Sequence, residues 1–212
     1  MYTCDACQMN SCYKKEPTGY PKNCPCPDEA HVEACKELYS DPENMMISHN
    51  SALVEAEGYL RKNRLEEIMD FARKCNYHKL GVAFCLGMKR EGNILCNILR
   101  HNGFDVVAVA CKHGRIPKEF IGIKDEEKVR PGTFESICNP IGQALLMNQQ
   151  KTDLNVMMGL CVGHDTLFMK YSEAPATVFA VKDRALAHNP IGALYLSENY
   201  YKQKFFGKNQ AD

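Results

Sequence analysis

Hydrophobic and polar residues follow three different patterns along the chain, and each pattern predicts a different kind of structure. Residues 1–27 have no apolar periodicity and are rich in Cys, Pro, Gly and Lys, which predicts a segment without a hydrophobic core of its own. From Asp28 onward apolar residues recur every three or four positions, so we expect helices over 28–40 and 51–76. Beyond residue 78 the pattern changes to short apolar runs separated by polar stretches.

These short runs predict the strands of a buried parallel sheet. Four of them have strand length, at 79–87, 104–112, 153–163 and 176–183. Helices are expected over 93–103, from Asn139 and after His188, with a frayed tail over 205–212. The alternation predicts an α/β fold, a Rossmann-like open and mostly parallel sheet with flanking helices. The predicted domains are a cysteine-rich metal-binding segment, 1–27, and a helical lead-in with the α/β domain, 28–212.

Composition narrows the function classes. The chain has 212 residues and a formal net charge of zero, so it lacks the basic balance that binds nucleic acid or an anionic membrane. The N-terminus "MYTCDACQMNSCYKK" has no hydrophobic stretch typical of a signal peptide. We therefore expect a cytoplasmic protein whose partner is a small molecule or a redox protein, and the sequence leaves its oligomeric state open.

The twelve cysteines change this picture. In a reducing compartment, clustered cysteines more often bind metal or carry out thiol chemistry than form structural disulfides. The first group has the spacing Cys4-x2-Cys7-x4-Cys12-x11-Cys24-x-Cys26. Uneven spacing and a Cys-Pro step favour a [4Fe–4S] cluster, and structural zinc is the alternative. The expected ligands are Cys4, Cys7, Cys12 and Cys24, with Cys26 in reserve.

A second group follows from the predicted topology. Cys85, Cys111 and Cys161 lie towards the ends of three strands, while Cys138 and His188 stand directly before helix starts. Strand ends and the following helix starts share one edge of a parallel sheet, where ligands bind. We therefore expect a shared site there, with Cys85, Cys111, Cys138 and Cys161 as cofactor-binding residues. The predicted catalytic residues are Cys111, Cys138, Cys161, His164, Asp165, Lys182 and His188.

The tetrapeptide Asn-Pro-Ile-Gly occurs twice, after Cys138 and after His188. Asn is a favoured helix N-cap and Pro a favoured first helical residue, so both copies predict helix starts. Helix N-termini favour anions and thiolates. We expect the two helices to point at one anionic group, which the glycines would let approach closely, and we expect the pKa of Cys138 to be lowered.

Several longer motifs resemble a known family. "CxxCxxxxC" at the N-terminus, "AFCLG", "VACKHG", "CNPIGQA", "GLCVGHDTLF", "APATVFAVKDR" and "HNPIGALY" together resemble a family of uncharacterised cysteine-rich metal-binding proteins found mainly in anaerobic bacteria and archaea. The resemblance covers nearly the whole chain. It implies a metal-binding N-terminus and an oxygen-poor setting, which favours the iron–sulfur interpretation, and it implies no particular reaction.

Three functions follow from these observations. The first is a metal-binding protein with an iron–sulfur cluster, whose Cys/His-lined site carries out redox or small-molecule chemistry. The second is a thiol enzyme in which one rim cysteine attacks an electrophile, His164 or His188 acts as base, and zinc is structural. The third is a non-catalytic carrier of a metal or small anion.

Overall fold

The structure is a computed structural model, and it describes residues 1–207. The chain divides into two compact units, one ending at Arg61 and the other beginning at Lys62. The helical lead-in up to that point therefore belongs with the cysteine-rich segment, whereas the sequence suggested a boundary after residue 27. No helix within the described part of the chain is long and apolar enough to cross a membrane.

The first unit contains a cysteine-rich segment and two helices. Two single 3-10 turns, Cys4–Ala6 and Ser11–Tyr13, are the regular structure of residues 1–27. The only buried residue of that segment is Ser11. Helix α1, Glu29–Tyr39, begins where predicted, because the Asp28 carboxylate accepts a hydrogen bond from the His31 N–H at 3.1 Å. Helix α2 runs over Pro42–Gly58.

The single helix predicted over 51–76 is wrong. The structure has two helices there, α2 ending at Gly58 and α3 spanning Arg64–Lys74. Between them Leu60 adopts a left-handed φ of 56°. The Asn63 side chain then accepts from the Glu66 N–H at 3.2 Å, and the Glu66 carboxylate accepts from the Asn63 N–H at 2.8 Å. This capping box starts a new helix inside a continuous apolar pattern.

The second unit is built on a four-stranded parallel sheet. Its strands are β1 Lys79–Phe84, β2 Asp105–Ala110, β3 Leu154–Leu160 and β4 Ala176–Val181, in the order β2-β1-β3-β4. The helices after α3 are α4 Lys89–His101, α5 Pro140–Gln149, α6 His164–Tyr171, α7 Ile191–Tyr195 and α8 Lys202–Phe206. The predicted α/β class and parallel sheet are confirmed, and the arrangement is consistent with a Rossmann-like fold.

Helices cover both faces of the sheet because side chains alternate along the strands. Leu80 and Val82 of β1 pack in one core cluster with residues of α3 and α4. Ala83 packs in the other cluster with residues of α5 and α6. All seven residues of β3 are buried, as expected for a strand covered on both sides.

The ends of the sheet differ from the predicted bounds in a way that matters for the site. Each strand stops two or three residues before its predicted carboxyl end. Cys85, Cys111, Cys161 and Lys182 are therefore the first residues beyond β1, β2, β3 and β4. They occupy turns at the edge of the sheet.

The carboxyl-terminal part also departs from the predicted pattern. Sequence reasoning missed α6, which begins after Gly163 (φ 84°) and has no side-chain cap. The last predicted helix begins at Ile191 and is short. Of the predicted frayed tail, Phe205 and Phe206 belong to α8, and residues 208–212 lie outside the described residues.

Candidate functional site

Four cysteines meet at the carboxyl edge of the sheet, which we call the rim. Cys85, Cys111 and Cys161 directly follow strands β1, β2 and β3, and Cys138 directly precedes Asn139, the N-cap of α5. All four line one cavity of about 500 Å³. Residues from four separate segments of the chain thus present their thiols to the same space.

Three of these thiols form a row in which Cys111 interacts with both of the others. The neighbouring Cys138 and Cys85 sulfurs both raise the pKa of the Cys111 thiol. Cys111 is only 2% exposed, whereas its two neighbours are partly exposed. The Leu86 N–H donates to the Cys111 sulfur at 3.3 Å. Because a thiol carries one proton, Cys111 can donate to only one neighbour at a time.

Cys138 carries the features of a reactive thiol. The hydrogen bond from Cys111, a second from His164 and the nearby charge of Lys112 lower the pKa of Cys138 to about 4. In return, the Cys138 sulfur raises the pKa of His164 above its usual value. A positive charge at the start of α6 is disfavoured by the helix dipole, so the upward shift of the His164 pKa comes from Cys138. The contact favours the thiolate form of Cys138 and the protonated form of His164 together.

Cys85 is stabilised as a thiolate when Cys111 donates to it instead, and it has two further donors of its own. The hydrogen bond from Cys111, the Gly87 N–H and the Lys182 ammonium group lower the pKa of Cys85 to about 5. A Cβ at position 87 would lie 3.8 Å from the Cys85 sulfur and 3.9 Å from the Lys182 Nζ, which are ordinary contact distances. The sulfur and the ammonium group therefore both lie beside the turn that follows β1.

Cys161 has a cation of its own. The Arg184 guanidinium donates to the Cys161 sulfur at 3.3 Å, and this contact raises the pKa of Arg184. Each of the three partly exposed rim sulfurs thus lies beside a cationic side chain.

Gln143 of α5 holds the thiol row in place. Its side-chain N–H₂ donates to the Val109 carbonyl at 2.6 Å and to the Phe84 carbonyl at 3.3 Å, and Gln143 is fully buried. The Cys111 N–H donates to the Phe84 carbonyl at 2.9 Å, and the Asn139 N–H donates to the Cys111 carbonyl at 2.7 Å. Helix α5 is thereby fastened to the ends of β1 and β2.

The first Asn-Pro-Ile-Gly copy begins a helix as predicted, but its glycine has a different role. The Asn139 side chain accepts from the Gly142 N–H at 2.9 Å. A Cβ at Gly142 would lie only 2.5 Å from the His113 ring. The glycine therefore makes room for the His113 ring. The sequence had suggested a different role, in which the glycine lets an anion approach the helix start. The pKa of Cys138 is lowered as predicted, although neighbouring side chains are the main causes.

The second Asn-Pro-Ile-Gly copy is not an N-cap of the predicted kind. Helix α7 has Pro190 as its N-cap residue and no side-chain cap. His188 has a left-handed φ of 64°, and its Nδ1 accepts from the Asp183 N–H at 3.1 Å. His188 does not line the rim cavity. Asn189 therefore does not cap α7 as predicted, and the prediction that both helices point at one anionic group stays a prediction.

Of the other predicted catalytic residues, His164 and Lys182 lie beside the row. His164 lines the cavity, and Lys182 reaches Cys85. Asp165 does not line the cavity, and its carboxylate accepts from the Thr166 N–H at 2.8 Å.

The cavity wall contains residues that sequence reasoning missed. Arg184 is one, and the ion pair Lys118–Glu135 is another. Four apolar side chains complete the wall: Leu86, Ile121, Val129 and Ile137. Most of these residues come from the polar stretch between β2 and α5, which has no periodic signal. The Pro117–Ser136 bridge folds that stretch back onto itself at the cavity.

The N-terminal cysteines form a second group within the first unit. Cys4, Cys7 and Cys24 line a pocket of about 270 Å³. Hydrogen bonds with Cys24 and Cys12 raise the pKa of Cys26 to about 11. Cys24 is common to the pocket and to this contact, and Cys12 joins the group through Cys26. Within residues 1–207 no three His, Cys, Asp or Glu side chains are arranged to hold one metal ion, so metal binding stays a prediction.

Comparison with known proteins gives a family and one relative. The family model described as a protein of unknown function (DUF1847) matches residues 24–179. The chain is 43% identical over 205 residues to the uncharacterized protein MJ0455 of Methanocaldococcus jannaschii, covering 97% of this chain and 99% of that protein. No solved structure matches.

Proposed function

For this chain, which belongs to the family of proteins of unknown function DUF1847, we propose a metal-binding thiol protein with two separate sulfur sites. The five N-terminal cysteines bind a [4Fe–4S] cluster or zinc. The rim carries out thiol chemistry on a small molecule or a redox partner. The observation that carries this proposal is the Cys138–His164 pair, which opens onto the rim cavity beside a second thiol, Cys111.

The proposed chemistry begins at the Cys138 sulfur. The thiolate attacks an electrophilic atom of the small molecule and forms a bond to it. The leaving group departs with the electron pair of the broken bond and takes the proton of the His164 imidazolium. His164 acts as the general acid because its contact with Cys138 keeps it protonated before the attack.

The shape and charge of the cavity favour a small and partly apolar substrate. Its volume of about 500 Å³ lies within the range of small-molecule sites. Four apolar side chains form part of the wall, and the cationic groups of Lys112 and Arg184 face the same space. A substrate with an apolar body and an anionic or sulfur-containing end matches these surroundings.

The donor set of the N-terminal segment supports a metal there. Its five neighbouring thiols are soft ligands suited to iron–sulfur clusters and zinc. Residues 1–27 bury little besides Ser11, so a bound metal would supply the order that a core supplies elsewhere. The metal would contribute redox chemistry if it is an iron–sulfur cluster and structure alone if it is zinc.

Anaerobic purification tests the metal. Iron and acid-labile sulfide in equal amounts, with a paramagnetic signal after reduction, are expected for the cluster. One zinc per chain would support the structural alternative. Absence of both metals from anaerobically purified protein would contradict the N-terminal part of the proposal.

Acid-pH labelling tests the rim. Cys35 on α1 is partly exposed like Cys138 and serves as the internal reference. A thiol with a pKa of about 4 is ionised at pH 5, whereas an ordinary thiol is not. A thiolate of low pKa is also a weaker nucleophile than an ordinary thiolate, which offsets part of this advantage. A dipyridyl disulfide should therefore label Cys138 about 30-fold faster than Cys35 at pH 5, an advantage that disappears near pH 7.

Peptide mass spectrometry identifies the labelled cysteine. Equal labelling of Cys138 and Cys35 at pH 5 would contradict the rim proposal. Cys35 is not one of the five proposed metal ligands, and labelling of protein treated with a chelator gives the same comparison without the metal.

A further inference from the structure

The geometry points to Cys111 as a shared resolving thiol, which forms a disulfide with either Cys138 or Cys85 and so makes the rim a three-thiol relay. This inference rests on the proposed function, since Cys138 is again the thiol that reacts first. It adds a reaction class, thiol–disulfide exchange, and a role for Cys85.

Cys85 and Cys111 are in register at the ends of neighbouring strands. Phe84 of β1 pairs with Ala110 of β2, and the two cysteines are the next residues of each strand. Neighbouring strands lie about 4.8 Å apart, and disulfides join Cα atoms that are about 4.4–6.8 Å apart. The Cys111 N–H bond to the Phe84 carbonyl, at 2.9 Å, continues the pairing up to the cysteines. The spacing of the two strands therefore falls within the Cα separation that a disulfide requires.

Cys138 approaches Cys111 from the other side. The Asn139 N–H donates to the Cys111 carbonyl at 2.7 Å, which brings the adjacent Cys138 backbone against the end of β2. Both Cys85 and Cys138 pack against the buried cluster that contains Cys111. The Cys111 thiol interacts with both, and these interactions raise its pKa. Cys111 is thus the one thiol of the row that can reach two partners.

Burial sets the order of reaction. Cys111 is 2% exposed, so a molecule entering the cavity meets the partly exposed Cys138 or Cys85 before it. Of these two, Cys138 has the His164 ring beside it to protonate the leaving group. A buried thiol behind an accessible one can resolve a mixed disulfide but does not begin one.

The relay has three steps. First, the Cys138 thiolate attacks one sulfur of a small disulfide, R–S–S–R. A Cys138–S–S–R bond forms, the R–S–S–R bond breaks, and the departing R–S⁻ takes the proton of His164. Second, the Cys111 sulfur displaces the remaining R–S group, which leaves with the Cys111 proton. The products are two R–SH molecules and a Cys111–Cys138 disulfide.

The third step moves the disulfide from the Cys111–Cys138 pair to the Cys85–Cys111 pair. The Cys85 thiolate attacks the Cys111 sulfur, the Cys85–Cys111 bond forms, and the Cys111–Cys138 bond breaks. Cys138 leaves as a thiolate and is ready to react again. No further oxidant is consumed, because one disulfide replaces another. This exchange requires that the Cys111 sulfur lie within reach of both Cys138 and Cys85.

Oxidised glutathione provides the test on the full-length, metal-loaded chain. The protein is incubated anaerobically with this disulfide, quenched in acid at successive times and mapped by peptide mass spectrometry. We expect Cys111–Cys138 to appear first and Cys85–Cys111 to accumulate after it. Cys85→Ser should leave only Cys111–Cys138. Cys35→Ser is the matched control and should behave as wild type.

Cys111→Ser separates the relay from the proposed function. In this variant Cys138 should stop at a stable glutathione adduct, with no disulfide between rim cysteines. An adduct on Cys138 in the variant, but no rim disulfide in wild type, would overturn the relay and keep the reactive Cys138. No adduct on Cys138 in any protein would overturn both. Cys111–Cys138 without later Cys85–Cys111 would overturn the shared role, and this time course needs only the wild-type chain.

Discussion

The two cysteine groups of this protein contain the same functional group in opposite settings. The N-terminal thiols are close in sequence, lie in a segment in which only Ser11 is buried, and have one another as neighbours. The rim thiols come from four distant segments, and the framework of the sheet holds them beside cations. The proposed metal would supply the order of the first group, whereas the sheet supplies the order of the second.

The pKa shifts express the same contrast. Thiol neighbours raise the pKa of Cys26 to about 11, because a second thiolate beside them is disfavoured. At the rim, Cys111 donates a hydrogen bond and His164 adds another with its positive charge, which lower the pKa of Cys138 to about 4. The neighbours of a cysteine, and not its residue type, decide whether it is a thiol or a thiolate at neutral pH.

Removing the N-terminal ligands should give the largest effect. Cys4→Ser combined with Cys7→Ser should abolish metal binding and make residues 1–27 sensitive to protease, because little apolar packing holds them. The α/β unit should resist the same treatment. Limited proteolysis with mass spectrometry and metal analysis measure both effects, and Cys35→Ser is the control.

The same experiment can also contradict the contrast drawn between the N-terminal and rim cysteine groups. If the double variant keeps its full metal content, the metal lies elsewhere, and the cofactor predicted for Cys85, Cys111, Cys138 and Cys161 becomes the better explanation. If the metal is lost but residues 1–27 stay protected, the metal does not order the segment.

A single methyl group should disturb the packing that supports the rim. Gly142→Ala places a Cβ 2.5 Å from the His113 ring, and overpacking of this kind costs about 1–3 kcal/mol. Gly192→Ala is the matched control in the second Asn-Pro-Ile-Gly copy, where the nearest atom would be 3.7 Å away. Urea unfolding followed by circular dichroism should therefore separate the two variants. Equal stability would show that His113 moves aside freely.

The two asparagines should differ by a smaller amount. Asn139→Ala removes a side-chain cap from α5, and loss of such a cap costs about 0.5–2 kcal/mol. Asn189→Ala removes no side-chain cap from α7 and should be close to neutral in the same urea experiment. A cost for Asn189→Ala as large as that for Asn139→Ala would contradict the difference between the two copies.

Mutation should change the pKa of Cys138 and the pKa of Cys85 one at a time. His164→Gln removes a cation from Cys138, so the pKa of that thiol should rise, and the midpoint of its pH–labelling curve should move up by about one to three pH units. The Cys85 midpoint should stay in place. Lys182→Gln should shift Cys85 upward and leave Cys138 unchanged, since Lys182 acts on Cys85. A joint shift in both variants would indicate that Cys111 couples the two thiols too tightly to separate.

The sheet and the location of the rim thiols followed from local signals. Apolar runs of strand length predicted all four strands, and the rule that parallel strands end at one edge placed Cys85, Cys111 and Cys161 near one another. These inferences need only the order of elements. They tolerate errors of two or three residues at the strand ends.

Features that depend on long-range contacts could not be predicted. The pairing of Arg184 with Cys161, and the return of Lys118 and Glu135 to the cavity, depend on how a non-periodic stretch folds. The two Asn-Pro-Ile-Gly copies carry the same local signal, yet only Asn139 caps its helix, because the turn from Asp183 to His188 determines the backbone before α7. A local motif states a preference that its surroundings can override.

The buried amide of Gln143 has a mechanical consequence. One side chain grips the carbonyls of Phe84 and Val109, close to Cys85 and Cys111, and its own helix begins directly after Cys138. A displacement of α5 would therefore carry the ends of both strands with it, and the three sulfurs would travel as a rigid body. Motions of the surface loops would therefore leave the spacing of the three sulfurs unchanged.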